Sequence, residues 1–152
     1  MSEAVQGQLA GNEAQGNRIG WGRVAATVLA LEIALVLSAF AWVAIYSYLI
    51  HPGESPAYYQ SHAQFASPIV SVVAGIPLVY FACRWAARKA GNRAVAMSLW
   101  IWAVLFLIDV VLFLVGKPTA YIWIMGGISH STKLLAAYLG GRANERPQHR
   151  RR

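Results

Sequence analysis

The chain has 152 residues, of which 57% are hydrophobic and 12% are charged, and its formal net charge at pH 7 is +7. Soluble domains are about a quarter charged, so this composition argues against a soluble globular protein and favours a single integral membrane domain. The basic residues flank apolar stretches and form no basic face with interleaved aromatic residues. That arrangement argues against nucleic-acid binding.

Four long apolar stretches follow a polar N-terminal tail. The tail, residues 1–20, is rich in Gly, Gln and Asn, and we expect it to be disordered. The apolar stretches make up one domain over residues 21–141, because each is long enough to cross a bilayer as a helix. The predicted spans are at about 24–50, 68–87, 94–115 and 120–139. Gly140-Gly141 predicts the C-cap of the last span, and residues 142–152 form a basic tail.

The lysines and arginines lie in alternate polar segments. They occur in the N-terminal tail, after the second apolar stretch and in the C-terminal tail. The first connection, residues 51–67, has none, and the third has only Lys117. This positive-inside pattern predicts an all-α, four-helix integral membrane bundle with both termini in the cytoplasm. We expect a bacterial inner (plasma) membrane protein with its first and third connections in the periplasm.

The first connection contains two helix-start signals. Ser55 followed by Pro56 predicts the N-cap and first residue of a short periplasmic connection helix over residues 56–65. Ser67 followed by Pro68 repeats the signal and predicts the start of the second span. The connection helix is therefore expected to be separate from that span, along the outer membrane surface or over the mouth of the bundle.

Four ionisable residues interrupt the predicted spans: Glu32, Asp109, His130 and Lys133. Charged groups in hydrocarbon are costly, and such residues commonly mark proton or ion pathways. Glu32 and Lys133 lie at similar predicted depth, which leaves three interpretations open. They form a structural ion pair, or Lys133 snorkels beside a neutral Glu32, or Glu32 is a proton or cation site. His130 is expected near the midplane, hydrogen-bonded to a serine or a neighbouring helix.

Further candidate residues lie on the predicted periplasmic side: Tyr46, His51, Tyr58 and His62. Asp109 is at a comparable height. It is expected either to hydrogen-bond with side chains of this region or to form an outward-facing entry site for a cation or proton. The spacing of the histidines fits neither a haem nor a metal site, so no cofactor or metal is predicted.

Two functions stay open. The first is a small oligomeric transporter or a proton or ion pathway that uses buried carboxylates. The second is a non-catalytic accessory, assembly or regulatory subunit of a larger membrane complex. The chain has no phosphate-binding loop, nucleophile elbow or zinc-peptidase motif, which argues against an enzyme. Expected partners are the lipid bilayer and either further copies of the chain or another membrane protein.

Glu32 in the first of four spans resembles one feature of the small multidrug resistance transporters. In that family, a membrane-embedded glutamate exchanges protons for cationic drugs, so the resemblance implies proton coupling at Glu32. The long first connection, residues 51–67, the arginine-rich tail and the strong charge bias depart from the family pattern. We therefore infer no membership.

Overall fold

The computed structural model describes residues 20–116 and 119–145, and the regular structure within them is helical. Four long helices form the structure: α1 Trp21–Ile45, α2 Pro56–Ala86, α3 Ala94–Gly116 and α4 Ala120–Arg142. A π-helical turn, Tyr46–Ile50, extends α1. Two 3-10 turns, Ala87–Lys89 and Gly91–Arg93, join α2 to α3. The prediction of an all-helical chain is confirmed.

Three helical segments in the described part of the chain are long and apolar enough to cross a membrane: Trp21–Ile50, Pro56–Lys89 and Gly91–Gly116. The predicted fourth span at 120–139 corresponds to α4, which is not among them. Its lower hydropathy follows from the run of small and polar residues between Gly126 and Lys133. Crossing of the membrane by α4 therefore stays a prediction.

Helices α1 and α2 are antiparallel. At one end of the pair, Nη1 of Arg23 donates a hydrogen bond to the backbone oxygen of Ala86 (3.4 Å). At the other end, Nε1 of Trp42 donates to Nε2 of His62 (3.3 Å). Two long helices joined by a short connection are expected to pack in this way.

Helices α2 and α4 run parallel and make close contact along their length. Near the start of α4, the Tyr121 hydroxyl donates to the Phe65 backbone oxygen (3.1 Å). Just beyond its end, Nδ2 of Asn144 donates to the Arg84 backbone oxygen (2.6 Å). Because α3 joins these two helices in sequence, it runs antiparallel to both.

The structure corrects the prediction of a separate connection helix over residues 56–65. Helix α2 begins at Pro56, where the Ser55 side chain accepts a hydrogen bond from the Tyr58 backbone N–H, and continues without a break through Pro68. A proline inside a helix removes one backbone donor and leaves the carbonyl four residues earlier without its helical partner. That loss does not end the helix here, so the prediction that a new helix begins at Ser67-Pro68 was wrong.

The structure also corrects the role of Gly140 and Gly141. Helix α4 continues through both residues to Arg142 instead of ending there. A Cβ on Gly140 would lie 2.6 Å from the Tyr80 backbone oxygen, and one on Gly141 would lie 2.8 Å from the Val95 Cα. The absence of side chains therefore allows α4 to contact the backbones of α2 and α3.

A close-packed apolar core fills the half of the structure that contains the start of α1 and the ends of α2 and α4. Its fully buried members come from all four helices: Val24, Val28, Leu31, Val79, Cys83, Met97, Ile101, Leu105 and Ala137. The predicted disordered tail up to residue 19, Lys117 and residues 146–152 of the predicted basic tail lie outside the described residues.

Candidate functional site

An Asp–His pair joins α3 to α4 inside the predicted membrane region. Nε2 of His130 lies 3.2 Å from Oδ2 of Asp109, and only 7% of His130 is exposed. By helical rise, Asp109 is about 10 Å from the end of α3 and His130 is about 15 Å from the start of α4. Two aromatic residues of α3 fix this part of α4. Nε1 of Trp102 donates to the His130 backbone oxygen (3.1 Å), and Phe106 contacts the imidazole edge-to-face.

The contacts of the two imidazole nitrogens indicate the protonation state that suits this site. Nε2 of His130 faces a carboxylate, whereas Nδ1 is buried and has no hydrogen-bond partner among the described residues. The neutral tautomer with its hydrogen on Nε2 donates to Asp109 and buries no unpaired N–H group. The pair can thus accept one proton, either on the carboxylate or on the Nδ1 lone pair of the imidazole.

Lys133 extends the site towards α2. Its Nζ donates to the Ser71 hydroxyl (3.1 Å) and lies 4.0 Å from Oδ2 of Asp109. Only 1% of the residue is exposed, so the lysine does not snorkel to a membrane surface. Gly75 of α2 makes room for the lysine stem, because a Cβ there would lie 2.7 Å from Cε of Lys133.

Glu32 of α1 completes the group of four residues that the sequence identified. It interacts electrostatically with Asp109, His130 and Lys133. Its Oε1 atom is buried without a hydrogen-bond partner among the described residues. The Glu32–Lys133 ion pair, one of the three interpretations left open by the sequence, is not formed in the described structure, because the flexible lysine stem crosses Gly75 and reaches Ser71 and Asp109 instead.

A cavity of about 290 Å³ lies between α2, α3 and α4 beside Asp109, His130 and Lys133, and Glu32 is not part of its lining. Gln64 and Ser67 line the part nearest the first connection. At about 30 Å³ for each water molecule, the volume would hold about ten waters. Ser71 and Ser129 add to the polar lining, and their hydroxyls lie 3.4 Å apart. The rest of the lining is mostly apolar, so the cavity places a few polar side chains beside the partly exposed Asp109 carboxylate.

The periplasmic-side candidates form a second cluster, separate from the first. Tyr46 stacks on His62, with ring centroids 3.5 Å apart, and its hydroxyl lies 3.0 Å from that of Tyr58. His51 packs beside Tyr46 at 5.3 Å. These residues hold the end of α1 and the start of α2 together. Asp109 has its close ionic contacts with His130 and Lys133 instead, so the first of its two predicted roles, hydrogen bonding to side chains of this region, is not seen among the described residues.

Sequence reasoning missed the uncharged lining of the cavity. Ser129, Gln64 and Ser67 were not predicted as site residues, although their positions on one side of α4 and α2 gave a weak signal. The part of the chain that the structure describes contains no cluster of three or more His, Cys, Asp or Glu residues that could hold a metal ion.

Comparisons with protein-family models, curated protein sequences and solved structures gave no match.

Proposed function

We propose that this chain is a small protein of the bacterial inner membrane that moves protons or cations through the buried group of Glu32, Asp109, His130 and Lys133. The observation that carries the proposal is the 3.2 Å Asp109–His130 contact beside a cavity that also has serine and lysine side chains in its lining. Groups that exchange protons must lie within hydrogen-bond reach of each other or of a connecting water. The Asp109–His130 pair meets this condition, and the cavity offers space for the water.

The proposed topology has four spans, with both termini in the cytoplasm. It is supported by the position of the basic residues, because every described lysine or arginine except Lys133 lies near one end of the helices. These residues are Arg23, Arg84, Arg88, Lys89, Arg93 and Arg142. The positive-inside rule assigns that end to the cytoplasm. The part of the cavity lined by Gln64 and Ser67 then lies on the periplasmic side.

A complete pathway needs more than the single chain. The apolar core between Lys133 and the basic end includes Val79, Ile101 and Leu105, each 0% exposed, so the described helices offer no second polar route. We propose that the transporting unit is a homo-oligomer, in which movement of helices or a neighbouring copy supplies the route to the cytoplasm. Glu32 of α1 would receive the proton next through a connecting water, because no direct hydrogen bond joins it to the other three residues within the described part of the chain.

The test is a proton-flux assay on the full chain reconstituted into liposomes, with a pH-sensitive dye inside. Asp109→Asn and Glu32→Gln keep side-chain size but remove the ionisable carboxyl. Each is expected to lower flux by about 100-fold, as when a proton-transferring side chain is lost. Glu54→Gln is the matched control, because Glu54 is exposed in the first connection. Flux that is equal in all three variants and the unmodified chain would overturn the proposal.

The second candidate is an accessory subunit of a larger membrane complex. It is favoured by Oε1 of Glu32, which is buried in this chain without a hydrogen-bond partner among the described residues and which a helix of another protein could satisfy. This candidate predicts a stoichiometric second polypeptide after gentle solubilisation and no flux from the purified chain alone. A homo-oligomer that carries flux would exclude it.

A further inference from the structure

An apolar groove, separate from the cavity beside Asp109, lies between α2 and α4. It is in the half of the structure near the basic end, where Arg84 and Arg142 lie. Its volume is about 300 Å³. Its walls are formed on α2 by Pro77, Tyr80 and Phe81, and on α4 by Thr132, Leu135 and Leu139. Because α2 and α4 run parallel here, the groove lies between the two helices, and its apolar walls suit part of a hydrocarbon chain.

Two arginines lie beyond the lining residues of this groove, towards the basic end of the helices. Helical phase places Arg84 within about 20° of Pro77 around α2, and Arg142 within about 20° of Leu135 around α4. Both arginines are exposed. The Asn144–Arg84 hydrogen bond of 2.6 Å holds the two helix ends together at the level of these arginines.

The charges of Arg84 and Arg142 have no acidic partner in the described part of the chain. Among residues 20–116 and 119–145, neither Arg84 nor Arg142 forms an ion pair with a carboxylate. Arg142 instead donates a hydrogen bond to the Tyr138 hydroxyl (3.3 Å). Guanidinium groups bind phosphate through paired N–H donors. A phosphate group held by these arginines would place part of an attached hydrocarbon chain along the groove.

We propose that the groove between α2 and α4 is a binding site for one anionic phospholipid. The phosphate is held by Arg84 and Arg142, and one acyl chain lies along Phe81, Thr132 and Leu135. The site is independent of the proposed proton pathway. It differs from general attraction to an anionic membrane surface, because it requires particular arginines and an unfilled groove.

The experiment compares lipid retention by the full-length protein in detergent micelles that contain equal amounts of phosphatidylglycerol and phosphatidylcholine, measured by native mass spectrometry. The unmodified chain is expected to retain one phosphatidylglycerol. Loss of one hydrogen bond to a charged group weakens binding by about 10-fold. Arg84→Gln combined with Arg142→Gln should therefore weaken retention by roughly 100-fold. Lys89→Gln is the matched control, because Lys89 is a nearby basic residue that does not lie along the groove. This variant should leave retention unchanged.

A second variant tests the groove without changing charge. Thr132→Phe places a ring between the two helices, where the acyl chain would lie, and is expected to abolish retention of phosphatidylglycerol while the arginines stay in place. Two results would overturn the proposal. One is equal weakening by Lys89→Gln and the double arginine variant, which would indicate diffuse charge attraction. The other is unchanged retention by Thr132→Phe, which would indicate that the groove holds no acyl chain.

Discussion

Gly140 and Gly127 offer a matched test of how the helices are held together, because both lie in α4 and both can be changed to alanine. A Cβ on Gly140 would lie 2.6 Å from the Tyr80 backbone oxygen and 3.2 Å from the Arg84 backbone nitrogen. A Cβ on Gly127 would meet nothing within 4 Å. The two substitutions are chemically identical and differ only in what the new methyl group contacts.

The expected change in the free energy of unfolding results from two opposing effects. Alanine in place of glycine inside a helix contributes about 1 kcal/mol of stability through helix propensity, and this gain applies to both variants. At Gly140, the new carbon must move about 0.7 Å to reach an ordinary C···O separation of about 3.3 Å. The contacted atoms are backbone, so α2 and α4 must separate. Overpacking of this kind costs about 1–3 kcal/mol.

We therefore expect Gly127→Ala to stabilise the protein by about 1 kcal/mol and Gly140→Ala to be about 1–3 kcal/mol less stable than Gly127→Ala. The assay is reversible unfolding in mixed micelles with increasing SDS, followed by helical circular dichroism. If both variants unfold at the same SDS fraction, the α2–α4 contact at Gly140 is not as close as described. The argument from close backbone approach would then fail.

Two further predictions concern single side chains. Gly75→Ala should displace the stem of Lys133 and break its bond to Ser71, with a net loss of about 1 kcal/mol after the gain in helix propensity. The same change in a Lys133→Ala background, which has no side-chain stem above Gly75, should not be destabilising, and equal effects in the two backgrounds, measured by SDS unfolding, would contradict the placement of the lysine. Ser55→Ala should remove the N-cap of α2 and cost about 1 kcal/mol. Ser61→Ala, whose hydroxyl bonds within the same helix, is its control, and hydrogen exchange in the first turn of α2 should rise for Ser55→Ala alone.

Some features of this protein follow from the sequence alone because they depend on the order and polarity of residues. Long apolar stretches predict helices, and the first predicted span at 24–50 matches the observed segment Trp21–Ile50 closely. The end of α4 was less well predicted, because a glycine pair at a helix end can be a C-cap or a close contact with another backbone. Only the neighbouring helices show that Gly140 and Gly141 make close contacts.

The candidate site was also predicted only in part from the sequence. The sequence identified Glu32, Asp109, His130 and Lys133, because an ionisable residue in an apolar stretch is conspicuous wherever it is found. Residue counting from the helix ends estimates depth along each helix. It does not give the rotation of the helix, the tilt between helices or the direction of a long side chain. Those quantities determine which charges meet.

The tertiary structure alone decided the pairing within the site. The Asp109–His130 contact depends on the rotation of α3 against α4, and the contact of Lys133 with Ser71 depends on the space above Gly75. Residues spaced three and four apart lie on one face of a helix. The spacing does not show which of the other helices packs against that face. The sequence therefore determined which polar groups are buried among apolar residues, and packing between helices determined their partners.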